Sequence, residues 1–280
     1  MTTQMETDFG ALSDTGCVRE NNEDAYGLAP EVNLFVLSDG MGGLEFGEVA
    51  SRLTVDAILA HCREAEANPL LPLSGERVDG VSATSNRLAS AVRLANEAVH
   101  RAALQNGVRQ QMGATVVAVQ FDGERMSLAH VGDSRAYRLR GGDFEQLTED
   151  HSFVAEQMRR GRMTQQEAGS STLQNVLVRA LGIEPMVEVA VGEELVMEGD
   201  TVLLCSDGLT RELSDAQIAA VLGETEDAQE AAGRLVELAK QAGGGDNITA
   251  VVLRHAAKPV GAFARISRLG KWFKGPRDLS

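Results

Sequence analysis

Three acidic corners stand out in this 280-residue chain: Asp39-Gly40-Met41-Gly42-Gly43, Ser206-Asp207-Gly208 and Gly245-Asp246-Asn247. Asp39 and Asp207 follow apolar runs at 32–37 and 201–205, and Asp246 precedes one at 248–253. A carboxylate at a strand end beside a glycine is well placed to reach a cation, because the glycine lets the backbone come close and offers its own carbonyl. Glu23 and Asp24 in Asn21-Asn22-Glu23-Asp24, and Asp133 in Gly132-Asp133-Ser134-Arg135, add further acids beside turns. No His or Cys accompanies them, and all-oxygen ligation selects hard cations, Mg²⁺ or Mn²⁺ rather than Zn²⁺ or copper. So many carboxylates in one pocket would raise one another's pKa values unless cations neutralised them. Two divalent ions about 3.5–4 Å apart would do so, lower the pKa of a shared water and steady in-line displacement at phosphorus. Arg19, just ahead of Glu23, has the planar fork that holds two phosphate oxygens. The chemistry indicated is metal-assisted reaction at phosphate.

The elements that must position these groups come in blocks. Strands are expected near 8–12, from Asp24, at 32–37 and, as a meander, at 114–121, 126–131, 136–139 and 144–147. Others follow at 187–191, 201–205 and 248–253. Helices are expected from Glu45 to about Arg63, with Val49, Leu53, Ile58 and Leu59 at helical spacing, and at about 86–105, 215–222 and 227–242. Residues 68–85 read as a surface loop and 151–171 as short helices projecting from the sheet. Blocks of strands and helices, without βαβ units, predict an α/β sandwich: two packed antiparallel sheets with helices outside.

Composition bounds the rest. The net charge is −15, but residues 256–280 hold six Lys/Arg against one Asp, a balance of +5 that leaves residues 1–255 at −20. An acidic body argues against a nucleic-acid partner. No apolar run reaches spanning length and the N-terminus does not read as a signal peptide, so a cytoplasmic location is expected. Cys17, Cys62 and Cys205 lack metal-ligand spacing, and Cys205 reads as a core thiol.

In this order the motifs resemble the type 2C family of metal-dependent protein phosphatases, in its bacterial Ser/Thr form. The resemblance is carried by Arg19-Glu20-Asn21-Asn22-Glu23-Asp24, Ser38-Asp39-Gly40-Met41-Gly42-Gly43, Gly113-Ala114-Thr115 and Gly132-Asp133-Ser134-Arg135. It continues through Leu147-Thr148-Glu149-Asp150-His151-Ser152, Arg179-Ala180-Leu181-Gly182, Ser206-Asp207-Gly208-Leu209 and Gly245-Asp246-Asn247. The match runs from about Asp8 to Arg254, which implies a phosphatase domain over 1–255 and a separate tail over 256–280.

The resemblance implies roles by position. Asp39 bridges two Mn²⁺ or Mg²⁺ ions, with Asp207 and Asp246 completing one. The Gly40 carbonyl and an acid of the Glu23-Asp24 pair serve the other. Asp133 shares a third, weaker ion with Asp207, and Arg19 binds phosphate. Residues 151–171 form a flap where protein substrates are distinguished. The activity implied is hydrolysis of phosphoserine and phosphothreonine on proteins by a metal-bridging hydroxide, in a monomer that opposes a bacterial Ser/Thr kinase and acts on its targets. Met41 stands where some members place a histidine, leaving a metal-bound water as proton donor to the leaving group. Gly169-Ser170-Ser171-Thr172 replaces the His-Pro that many bacterial relatives carry, so flap specificity does not transfer.

Plainer readings stand beside these. A single Asp-Gly corner is most often only a turn. Asp133 could hold Arg135 or cap a turn instead of binding an ion. His130 reads as a core histidine and His151 as a hydrogen-bonding residue at the flap hinge. The fold could also serve a non-catalytic phosphoprotein-binding module, or a phosphohydrolase of small molecules. In the tail, Ile266, Leu269, Trp272 and Phe273 share one helical face among basic residues. Such a segment suits an anionic membrane surface or an acidic partner, or it packs on this chain's own acidic body.

Overall fold

The runs around residues 35, 117, 203 and 251 carry no polar alternation, and the computed structural model gives the reason: these strands are buried on both faces. The structure describes residues 5–42, 46–105, 107, 112–169 and 171–257. Among them, one antiparallel sheet has the order β1 (Met5–Asp14), β11 (Ile248–Ala257), β10 (Thr201–Cys205), β7 (Arg135–Arg140) and β8 (Asp143–Gln146). The other runs β2 (Asp24–Ala29), β3 (Leu34–Gly42), β5 (Val116–Asp122), β6 (Arg125–Val131) and β9 (Ala190–Leu195), with the short β4 (Met112–Ala114) paired to the end of β3.

Alternate residues of each central strand serve different cores. Phe35, Leu37, Val117, Val119, Val202, Leu204, Val251 and Leu253 fill the space between the sheets. Their neighbours Leu34, Val36, Val116 and Ala118 face helices α1 (Phe46–Ala67) and α2 (Ala83–Gln105). Leu203, Cys205, Ala250 and Val252 face α5 (Asp207–Thr210), α6 (Asp215–Glu224) and α7 (Ala228–Ala242). The result is the expected αββα sandwich, with the period-two pattern hidden because both sides are apolar.

Several expectations are corrected. The meander is two hairpins, β5–β6 and β7–β8, that lie in different sheets. The chain changes sheets at Gly132-Asp133-Ser134, which explains the glycine there and puts Asp133 at a corner. The strand expected at 187–191 is β9, displaced to Ala190–Leu195 by its register with β6, where Arg125 faces Leu195 and His130 faces Ala190. Ile58 is buried as expected but Val49 is exposed, and α1 adds Ala50, Thr54, Val55 and Cys62 to its buried face, mostly small residues that allow close approach to β3 and α2. The one-turn helix α5 carries no periodic signal and was not expected.

The two short flap helices are α3 (Phe153–Arg159) and α4 (Gln165–Gly169). His151 anchors them to the sheet: its Nδ1 accepts from the Gly132 amide at 3.1 Å, and its own amide donates to the Gly132 carbonyl at 2.9 Å. It also stacks on His130 at 4.8 Å. Burial, with His130 and Arg179 adding repulsion, pushes His151 down to about 3, so it stays neutral and structural near pH 7. The amphipathic tail expected over 256–280 lies, from residue 258 on, outside the described residues.

Candidate metal centre

All the acids singled out in the sequence lie at or next to strand ends on one edge of the sandwich. Asp24 opens β2 and faces Asp39, near the end of β3, in direct register. Asp207 follows β10 and begins α5, Asp246 sits two residues before β11, and Asp133 occupies the crossing from β6 to β7. Two close backbone approaches fix these corners. A Cβ on Gly40 would lie 1.9 Å from the Gly47 carbonyl oxygen, and one on Gly208 2.0 Å from that of Asn247. Neither position has room for any other residue.

Hydrogen bonds join the corners. The Gly40 amide donates to the Glu23 carbonyl at 3.0 Å, and the Thr115 amide to that of Asp39 at 2.8 Å. Asn247 ties the N-terminal loop to the β11 side: its Oδ1 accepts from the Glu23 amide at 2.8 Å while its Nδ2 donates to the carbonyls of Asn21 and Thr15. Ser206 and Thr249 hydroxyls both donate to Asp24 Oδ2, at 2.8 and 2.6 Å. Ser206, Thr249 and Asn247 lie in the motifs or beside them, but their roles depend on partners some 180–230 residues away and give no local signal.

Electrostatically the corners form one cluster. Burial pushes Asp39 well above the usual carboxylate range, and Asp24, Asp207, Asp133 and Asp246 push it further. Asp24 is raised by burial against the pull of its two hydroxyl donors, and Asp133 by burial with Asp207 and Asp150. Glu23, packed against Gly47 near the start of α1, is raised by burial too. Such a set is unstable as all-anionic without cations.

The chain supplies two of its own. Arg19 grips Asp246 with both fork nitrogens, Nε to Oδ1 and Nη2 to Oδ2, each at 2.9 Å. Arg211, which the sequence reading did not single out, bridges Asp246 and Asp207. With Asp207 and Asp246 turned to these arginines, no three described His, Cys, Asp or Glu side chains close into a tight ligand cage. A resident cation is nevertheless indicated by Asp24 Oδ1, which is buried in this carboxylate cluster without a hydrogen-bond partner. The oxygen-only donor set fits hard divalent ions. The alternative partner for Asp133 is removed: Arg135 is held by Asp150 through Nε and Nη2, the closest contact at 2.7 Å, and by the Tyr137 hydroxyl. Cys205 lies in the core, where burial pushes its thiol up to about 12.

Beside the cluster a cavity of about 740 Å³ separates the flap from the start of α6, lined by Asp150, Met158, Arg159, Thr210, Leu213 and Ser214 among others.

A carboxylate cluster with a guanidinium fork, set on the edge of an αββα sandwich, offers the donors that metal-assisted chemistry at phosphate needs. The family model described as protein phosphatase 2C matches residues 18–241, and the chain belongs to that family. It is 40% identical over 245 residues to the serine/threonine protein phosphatase PstP of Mycobacterium tuberculosis, covering 87% of this chain and 44% of that one. It thus spans less than half the length of that relative. The Listeria innocua serine/threonine phosphatase stp is 33% identical over 86% of this chain and 93% of its own. Among solved structures, the catalytic domain of PstP in complex with two manganese ions superposes with a TM-score of 0.76 at 36% identity, covering 90% of this chain and 99% of that one.

Proposed function

We propose that this chain is a protein serine/threonine phosphatase working with two Mn²⁺ or Mg²⁺ ions. The observation that carries the reading is the meeting of Asp39, Asp207 and Asp246 with Arg19 on one edge of the fold, from four separate segments. Asp39, Asp207, Asp246, Glu23 or Asp24, and the Gly40 carbonyl would hold the ions, with Asp133 left as an outer carboxylate beside them. When bound, two such ions activate water and neutralise charge on the transferring phosphoryl group. Arg19 is 54% exposed at its side chain, so its fork can swing from Asp246 to two phosphate oxygens. Ser206 and Thr249 hold Asp24 rigid, and the Gly40 and Gly208 approaches fix the flanking aspartates before substrate arrives.

The flap cavity favours a protein substrate over a small phosphate ester, since it offers a polypeptide a mixed polar and apolar lining next to the cluster. The kinase that makes such phosphoproteins would be opposed by this chain, acting as a monomer. No helix among the described residues is long and apolar enough to cross a membrane. The basic tail, as a unit separate from a 1–255 catalytic domain, supports peripheral contact with an anionic membrane or an acidic partner. Phosphate release from a phosphothreonine peptide tests the activity: release is expected with Mn²⁺ and none after EDTA. Equal release in both conditions, or none in either, overturns it.

A further inference from the structure

We infer that Arg211 acts as a built-in cation in place of a third metal ion between Asp207 and Asp133, so that the loaded protein carries two ions. The inference rests on the two-ion reading above. Arg211 caps α5 with helical dihedrals (φ −73°, ψ −32°), and its amide donates to the Asp207 carbonyl at 2.9 Å. That turn returns its side chain over Asp207, four residues back. Nη2 donates to Asp207 Oδ2, and Nη1 donates to Asp246 Oδ2 at 2.9 Å. The same guanidinium acts on Asp133, where it pulls against burial, Asp207 and Asp150.

An ion shared by Asp133 and Asp207 would compete with Arg211 for Asp207 Oδ2 and would face a like charge across that carboxylate. Arg135, the other arginine near Asp133, is held by Asp150 and Tyr137, so its charge is already matched. A guanidinium keeps its proton at any working pH and cannot be titrated out of the way. Arg211 is therefore a positioning residue: it holds the Asp207 carboxylate on its outer side and closes the outer place. Arg19 differs, because it grips Asp246 alone and is the more exposed of the two.

Ion stoichiometry tests this without recourse to activity. The full chain is dialysed against Mn²⁺ from micromolar to millimolar concentration and bound metal per chain is counted. The wild type is expected to saturate at two, Arg211→Ala to take up a third, weaker ion, and Arg211→Ala with Asp133→Asn to return to two. Arg211→Gln, which keeps most of the stem and loses the charge, repeats the measurement should the alanine variant fold poorly. A third ion in the wild type overturns the inference, as does a count of two in both single variants. Fewer than two in the wild type overturns the two-ion reading itself, and this inference with it.

Discussion

Asp39, Asp207 and Asp246 reach the same edge of the sandwich from three segments, and each is partly open to solvent. Removing one charge there takes a ligand away without opening a core cavity. Asp39→Asn, Asp207→Asn and Asp246→Asn are each expected to abolish metal-dependent activity; the thermal unfolding midpoint is expected to rise for Asp39→Asn and to stay near the wild-type value for the other two, which lose ion pairs to Arg211 and Arg19. The rise follows from relief of like-charge repulsion around Asp39, whose neighbours all disfavour its ionised form. A variant that keeps a near-normal rate takes its residue out of the mechanism. Arg19→Ala tests the phosphate contact. Loss of a charge-assisted bidentate contact costs about 1.5–3 kcal/mol, so kcat/KM for a phosphopeptide should fall roughly 10–150-fold. Unchanged kinetics would reduce Arg19 to a loop residue paired with Asp246.

The edge strand β9 and the start of α2 are joined by one carboxylate. Glu193 Oε1 accepts from the Ser82 amide and the Ser85 hydroxyl, both at 2.6 Å, and Oε2 pairs with Arg125. An acid at a helix N-terminus also meets the positive end of the helix dipole. The Ser82 and Ser85 hydrogen bonds hold Glu193 down to about 2, against a smaller opposing effect of burial. Its folded pKa is thus below the unfolded value of about 4.3. The stabilisation is complete above the unfolded pKa and is lost as pH falls through about 2. Glu193→Ala is expected to lower unfolding free energy at pH 7 by about 1.5–3 kcal/mol in urea titrations, with the gap to wild type narrowing below about pH 4. A gap that stays constant with pH would mean the contact acts through packing and not charge.

For the whole molecule the open question is how the acidic body and the basic tail divide the work. Trp272 is the single tryptophan of the chain, so its emission reports on the tail alone. Anionic vesicles are expected to shift that emission to the blue at low salt and less at high salt, as screening weakens attraction to the surface. Truncation after Ala257, where β11 ends, should leave hydrolysis of a small phosphate ester unchanged. Absence of a shift rules out the membrane contact, and loss of hydrolysis would make the tail part of the catalytic unit.

Asp39, Asp207 and Asp246 were legible because a carboxylate beside a glycine at the end of an apolar run is a local signal, and the helices and sandwich class followed from periodicity and element order. The sequence could not say that β6 and β7 belong to different sheets, because a hairpin turn and a crossing between layers use the same Gly-Asp chemistry. Nor could it show β9's register, which depends on hydrogen bonds to β6 and not on its own residues. Ser206, Thr249 and Asn247 gained their roles only when strands distant in sequence were paired, since a hydroxyl or amide has no preferred partner until one is placed in reach. Arg211 is the sharpest case. Its spacing from Asp207 is an ordinary helical pair, and only the arrival of Asp246 from the far end of the chain makes it a bridge between two corners of the carboxylate cluster.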